Sequence, residues 1–283
     1  MKSSYQGLLN RIEGLSRDGH LGSEVQRTWG EYSCLPDDAA RSVAFVRDFF
    51  GGDVDEGLRM PRSLLCQLIL VAYRDAKKRD PGLARDFAFA FIQDFPGAAG
   101  SALLPRWSSL AEASLSFQAV ASSGDLLILW QQSSRLVLAV NEFLDGLIGF
   151  LIVAWRCALG KTINLNVLGN AFGSKIDEFA RLTDGDDGAF YLLLRLANAD
   201  LRNGLAHGSA WLDSAESKVR YIAGRQQKTE HQMDLVEFIL VAMLGSHLGP
   251  AYVAALATIS VFEDGPQAAV DLLPSPLIEL LEK

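Results

Sequence analysis

The chain of 283 residues contains only three cysteines, Cys34, Cys66 and Cys157. Each of them stands alone on a helix-like apolar pattern, and no CxxC pair occurs. An odd count without paired spacing indicates neither a disulfide framework nor a zinc site. We therefore expect reduced, buried thiols, as in cytosolic proteins, and no metal centre.

Long hydrophobic runs are also missing from the sequence. The longest extends from Gly146 to Trp155 and is closed off by Asp145 and Arg156. A membrane-spanning helix needs about 20 apolar residues, so this run predicts a buried helix instead. The first residues, MKSSYQGLLNRIEGLSRDGH, contain no continuous apolar stretch and indicate no signal peptide. We therefore expect a soluble, cytoplasmic protein with no membrane partner.

Positive charge is scarce, because 26 Lys and Arg stand against 34 Asp and Glu, for a net charge of −8. A general affinity for nucleic acid depends on Lys and Arg contacts to phosphates. Any site for a polyanion must therefore be local. Neither GxGxxG nor GxSxG occurs, so the sequence supports neither dinucleotide binding nor a serine-hydrolase elbow. No cofactor is expected.

Helical periodicity, in contrast, is present along most of the chain. Apolar residues recur at spacings of three and four, as in Leu65, Leu68, Ile69 and Ala72, and this period is typical of amphipathic helices. Breaks are expected at Asp80-Pro81 and at Ser123-Gly124. Helices are predicted near residues 4–17, 23–34, 38–50, 62–78, 82–94, 104–121, 125–159, 165–182, 187–207, 233–260 and 274–282.

One candidate hairpin interrupts the helical pattern. Lys218–Ile222 leads into a turn at residues 223–225, and a return strand is expected near residues 228–233. We place a domain boundary near residue 122, with residues 1–122 as an N-terminal helical region of unknown role and residues 123–283 as a bundle of long helices. The predicted fold class is therefore all-α, a helical bundle with an additional N-terminal helical region and one short β-hairpin.

The segment richest in chemistry is DGAFYLLLRLANADLRNGLAH, residues 187–207, which is predicted to form one helix. Its apolar residues fall in one narrow stripe that marks the core face. Arg202, Asn203 and His207 lie away from the centre of that stripe. Gly208 follows directly and suits a helix C-cap.

These three side chains have complementary chemistry. Arg202 offers a planar donor fork suited to phosphate, His207 can transfer a proton near neutral pH, and Asn203 can orient either one or bind a ribose oxygen. Metal-free RNA cleavage requires deprotonation of the 2′-OH, stabilisation of the phosphorane and protonation of the 5′-oxygen. The alternative is an ordinary helix end, in which Arg202 pairs with an acid and His207 caps carbonyls.

The string LRNGLAHG resembles the signature of the HEPN superfamily (higher eukaryotes and prokaryotes nucleotide-binding). That signature is an arginine, a polar residue directly after it, and a histidine with four to six residues between. Arg202, Asn203 and His207 match all three points. The stretch KVRYIAGRQQKTEHQMDLVEFI is also similar to a hairpin and helix of some members. The resemblance covers residues 125–262, and the first 120 residues resemble no family that we can name.

The resemblance implies a helical bundle that forms a homodimer, with two such motifs facing each other in one composite cleft. It implies a metal-independent endoribonuclease that leaves 2′,3′-cyclic phosphate ends on RNA, of the kind found in toxin–antitoxin and phage-defence systems. Such a toxin would have an antitoxin or a nucleotidyltransferase-like protein as its partner. Other members have lost activity, so the alternative is a catalytically inactive dimerisation or interaction module that binds a partner protein or a nucleotide. Between the two, we favour the enzyme.

Overall fold

The computed structural model describes residues 5–20, 32, 35, 40–41, 44, 46–47, 56–224, 228–264 and 281. The helices predicted near residues 23–34, 38–50 and 274–282 lie largely outside these residues, as does Cys34. Cys66 and Cys157 are described, and both are buried free thiols, as expected. Burial raises the pKa of each thiol.

The described chain is mostly helical and holds one small antiparallel sheet, which confirms the helical class in outline. The helices are α1 (Tyr5–Arg17), α2 (Glu56–Arg79), α3 (Pro81–Phe89), α4 (Leu104–Gln118), α5 (Leu126–Ala158), α6 (Phe172–Leu182), α7 (Tyr191–Leu196), α8 (Ala199–Ala206), α9 (Leu235–Ser246) and α10 (Leu248–Asp264). Short 3₁₀ turns occupy Leu165–Gly169 and Gly185–Asp187. The strands are β1 (Ala210–Asp213), β2 (Lys218–Ala223) and β3 (Thr229–Asp234).

Contacts divide the chain into two compact units. The first takes in the described residues of Met1–Leu104, Val153–Ile163 and Leu248–Lys283, and the second consists of Pro105–Ile152 and Asn164–His247. The units interleave along the sequence because α5 contributes residues to both. The consecutive ranges 1–122 and 123–283 stay a prediction about domains.

In the first unit, α1 and α2 pack against α10, and α2 packs against α3. The Asp80-Pro81 break is confirmed, since α2 ends at Arg79 and the Asp80 carboxylate accepts hydrogen bonds from the first backbone N–H groups of α3. This is the usual chemistry of a helix N-cap followed by proline at the first helical position. Inside the unit, the hydroxyls of Tyr5 and Tyr73 are 2.9 Å apart.

The second unit is built around the residues that α5 contributes to it. The side chains of Val140, Phe143, Leu144, Leu147 and Ile148 are fully buried, which agrees with the prediction of a buried apolar helix. Gly149 lets Leu168 approach α5 closely, because a Cβ at position 149 would lie 3.1 Å from the Leu168 side chain. The 3₁₀ turn after α5 therefore lies directly on this helix.

The sheet contains the predicted hairpin and one further strand. Strands β2 and β3 pair antiparallel over the predicted positions, and β1 pairs antiparallel with the other edge of β2. In β2, Val219, Tyr221 and Ala223 are buried and alternate with less buried residues, which is the period of a half-buried strand. Strand β1 has four residues, AWLD, and its sequence lacks that alternation. Its strand conformation therefore depends on pairing with β2.

The single helix predicted over residues 187–207 is wrong. The segment forms α7 and α8, with a break at Ala197-Asn198. Asn198 has extended backbone angles, its side chain caps α8 by accepting from the Leu201 N–H, and its own N–H donates to the buried Asn141 side chain at 2.7 Å. Because a residue of another helix takes up this N–H, the apolar stripe alone could not reveal the break.

Two described helical stretches are long and apolar enough to cross a membrane, Leu126–Ala158 and Leu235–Glu263. Their mean hydropathies are 2.0 and 1.6 over their most apolar windows, and 78% and 61% of those windows are buried inside the fold. Mostly buried core helices of soluble proteins meet the same criteria, so length and composition do not by themselves indicate a membrane protein. The expected cytoplasmic location stays a prediction.

Candidate functional site

Helix α8 carries the predicted site and is held at its start by α5. Asn198 is its N-cap, and Asn141 of α5 fixes the Asn198 backbone through the hydrogen bond described above. The helix then packs on β2, where Gly204 is buried against Tyr221. A Cβ at Gly204 would lie 2.9 Å from the Tyr221 Cβ. Glycine at this point of the motif therefore permits the close approach of helix and sheet.

Arg202 is partly buried and bound to an acid of α5. Its Nε donates to Glu142 Oε1 at 2.8 Å, and its Nη2 lies 2.6 Å from the same oxygen. Its Nη1 donates to the side-chain oxygen of Asn203 at 3.1 Å. A guanidinium has more N–H donors than these contacts use. Arg202 is thus held in place and keeps donors for a further anion.

Asn203 and His207 are both exposed. His207 is the C-cap of α8, and its backbone N–H donates to the Asn203 carbonyl at 3.0 Å. Gly208 follows with φ +66°, as expected of the residue after a helix end. Within the described part of the chain, a hydrogen bond joins the side chains of Arg202 and Asn203, and none joins either of them to the His207 ring. Because His207 is exposed and its ring is not bound to Arg202 or Asn203, the imidazole is accessible from solvent.

The residues that support Arg202 were not singled out from the sequence. They lie on α5, where Asn141, Glu142 and Asp145 are the polar side chains between Arg135 and Arg156. Polar residues are costly inside an apolar helix unless they have partners. Their clustering within little more than one turn is a signal that could have predicted contacts to another element. Which element they contact depends on the tertiary fold.

A buried lysine stands behind this cluster. Lys175 of α6 is 2% exposed, and its Nζ donates to the side chain of Asp145 at 2.7 Å and to the Asp145 carbonyl at 2.9 Å. Arg106 of α4 donates to the other oxygen of Asp145 and to the Glu142 carbonyl, both at 3.1 Å. Three helices are thereby tied together next to the residue that holds Arg202.

The sheet on which α8 packs carries a second arginine with a different environment. All three guanidinium nitrogens of Arg220 bind carboxylates, with Nε on Asp213 at 3.1 Å, Nη1 on Glu230 at 2.7 Å and Nη2 on Glu216 at 2.8 Å. The hydrogen bond with Glu230 is the main reason why the pKa of Arg220 is raised. Three carboxylates from the sheet and its turn therefore surround this arginine and compensate its charge.

No group of three or more His, Cys, Asp and Glu in the described residues is placed to hold a metal ion. Comparison with known proteins finds no matching family model, curated protein or solved structure.

Proposed function

We propose that this protein is a metal-independent endoribonuclease of the HEPN type that acts as a homodimer. The observation that carries the proposal is the environment of α8, where Arg202 is fixed by Glu142 with donors to spare and His207 is exposed at the helix end. A fixed guanidinium can bind and stabilise a phosphate that gains charge in the transition state. An accessible imidazole can transfer protons near neutral pH.

The reaction we propose is an internal transesterification of RNA. The 2′-oxygen attacks the adjacent phosphorus, the bond from phosphorus to the 5′-oxygen breaks, and the products carry a 2′,3′-cyclic phosphate and a 5′-hydroxyl. His207 takes the proton from the 2′-OH or gives one to the leaving 5′-oxygen. Arg202 binds the non-bridging phosphate oxygens, and Asn203 orients Arg202 through their hydrogen bond. A two-fold dimer would supply a second His207 for the other proton transfer.

The experiment compares wild type with His207→Ala on single-stranded RNA in the presence of EDTA. We expect wild type to cleave and His207→Ala to lose about 10²–10⁴ in rate, the usual contribution of a proton-transfer group. His231→Ala is the matched control, because His231 stacks on Tyr221 in the sheet and takes no part in the proposed reaction. Cleavage by His207→Ala at the wild-type rate, or loss of wild-type cleavage on chelation, would contradict the proposal. Light scattering should show a dimer at micromolar concentration.

The second candidate is an inactive HEPN-like interaction module that binds a partner protein such as an antitoxin. It is favoured by exposed apolar side chains on α9, where Val236 is 70% and Leu240 is 51% exposed on one face. Paired apolar side chains on an open helix face are typical of protein interfaces. A wild-type chain that cleaves no RNA, but whose complex with a partner is lost in Val236→Asp, would favour this candidate over the enzyme.

A further inference from the structure

A groove of about 550 Å³ lies between α4 and α5 in the second unit. Arg106 and Glu112 of α4 line one side, and Arg135 and Glu142 of α5 line the other. Glu142 is also the acid that holds Arg202. The groove and the arginine of the motif therefore share one side chain.

Small side chains also line the groove. Ala113 on α4 follows Glu112 directly, and Ala139 on α5 lies within one turn of both Arg135 and Glu142. Alanine leaves open the space that a larger side chain would fill. The volume of the groove is within the range of roughly 300–1,000 Å³ that is usual for small-molecule sites. The groove can therefore receive a group of the size of a single nucleotide.

The charges in the groove are available to a ligand. Arg135 and Glu112 are exposed, and neither side chain has a hydrogen bond or ion pair with another described residue. Arg106 binds Asp145 through Nη1 and is still 39% exposed. The lining of the groove thus offers both guanidinium donors and a carboxylate acceptor.

A nucleotide of single-stranded RNA fits both kinds of group. Guanidinium groups bind phosphate oxygens through paired hydrogen bonds. A carboxylate accepts hydrogen bonds from the exocyclic amino group of a base, as glutamate does from cytosine. A groove with both arginines and glutamates suits a nucleotide whose base has an amino group. It suits a polyanion without amino groups less well, because Glu112 and Glu142 would repel it.

We propose that this groove is a subsite for the RNA nucleotide that flanks the phosphate bound by Arg202. Arg135 binds the phosphate of that nucleotide, and Glu112 accepts from the amino group of its base. The subsite rests on the proposed ribonuclease function and adds specificity to it. Adenine, cytosine and guanine carry an amino group and uracil does not, so the subsite disfavours uridine.

Binding can be measured apart from cleavage with 2′-O-methyl RNA hexamers, which lack the attacking 2′-OH. Fluorescence anisotropy with oligo(A) and oligo(U) gives affinity and its salt dependence. Arg135→Gln should weaken binding of both oligomers and lower the slope of log K against log salt by about 0.7, the value for one phosphate contact in a single strand. Arg181→Gln is the matched control, since Arg181 is exposed on α6 outside the groove. It should leave the slope unchanged.

Two further variants test base recognition and shape. Glu112→Gln should remove the preference for oligo(A) over oligo(U), because an amide presents donors as well as an acceptor. Ala139→Phe should fill the groove and weaken binding without a change of charge, whereas Gln131→Phe, on an exposed position of the same helix, should not. Circular dichroism checks that each variant keeps its helices.

The outcomes separate the subsite from the function. If Arg135→Gln and Ala139→Phe bind RNA as wild type does while His207→Ala still abolishes cleavage, the subsite is wrong and the ribonuclease stands. If Arg135→Gln lowers the affinity but Glu112→Gln leaves the preference between oligo(A) and oligo(U) unchanged, the phosphate contact stands and base recognition is wrong. If wild type neither binds nor cleaves RNA, the subsite and the proposed function are both wrong.

Discussion

The two arginines around the packing of α8 on the sheet have opposite environments. Arg202 on α8 is bound by one carboxylate and one amide, so a single acid compensates its charge. Arg220 on β2 is bound by three carboxylates, one at each guanidinium nitrogen. The difference shows how a single residue type serves two purposes: an arginine surrounded by acids joins strands together, and an arginine held from one side can bind an anion.

The support behind each arginine differs as well. Behind Glu142, the network of Arg106, Asp145 and Lys175 reaches a lysine that is 2% exposed. Around Arg220, Glu216 and Glu230 are each about half exposed. Removal of one partner from a buried ion pair strongly destabilises a fold, whereas exposed ion pairs contribute little to its stability. The helix side should therefore be the more sensitive of the two to substitution.

The largest effect on the free energy of unfolding is expected from substitution of Lys175. Lys175→Met leaves the Asp145 carboxylate with Arg106 as its remaining charged partner, and breaking a buried pair in this way costs about 3–5 kcal/mol. The free energy of unfolding from urea titration measures it. Lys161→Met is the control, because Lys161 is exposed and its substitution should change stability by less than about 0.5 kcal/mol. Equal effects at both positions would contradict the comparison.

The two arginines themselves should separate activity from stability. Arg202→Lys is expected to lower RNA cleavage by about 10²–10³, the cost of losing a donor to a charged transition state, with a small change in melting temperature. Arg220→Lys should do the reverse, since a single ammonium cannot bind Asp213, Glu216 and Glu230 in the same way. Cleavage rates and melting curves of the two variants, measured in parallel, check this. Loss of cleavage in Arg220→Lys with Arg202→Lys intact would reverse the assignment.

A substitution at the contact between α8 and the sheet should have a smaller effect on the free energy of unfolding. Gly204→Ala places a Cβ 2.9 Å from the Tyr221 Cβ, and such overpacking costs about 1–3 kcal/mol. The control is Gly14→Ala in α1, where nothing lies within 4 Å of the added Cβ. Alanine is the better helix former by about 0.5–1 kcal/mol, so this variant should gain stability. A gain in Gly204→Ala would show that α8 does not press on β2.

The smallest effect is expected at the start of α8. Asn198→Ala removes the side chain that accepts from the Leu201 N–H and should cost about 1 kcal/mol. Asn198→Asp keeps that acceptor and should recover most of the loss. Chemical unfolding of the two variants measures the difference. Equal losses in the two variants would show that the side-chain cap does not stabilise the start of α8.

Some features of the fold could be predicted because their causes are local. The Asp80-Pro81 break follows from N-cap and proline chemistry. The hairpin at 218–234 follows from alternating residues around a turn, and the central helix follows from an apolar pattern. The end of α8 at His207, followed by Gly208 with a positive φ, follows from the backbone freedom of glycine.

What the sequence determined by itself was therefore the helical class, the hairpin and the place of His207 at the end of a helix. The tertiary structure decided the break at Asn198, the strand β1 and the choice of Glu142 as the acid that binds Arg202. Each of these depends on a partner distant in the chain, such as Asn141 for Asn198 and β2 for β1. Local periodicity reports which face of a segment is apolar, and it carries no information on which distant polar group will satisfy a given hydrogen bond.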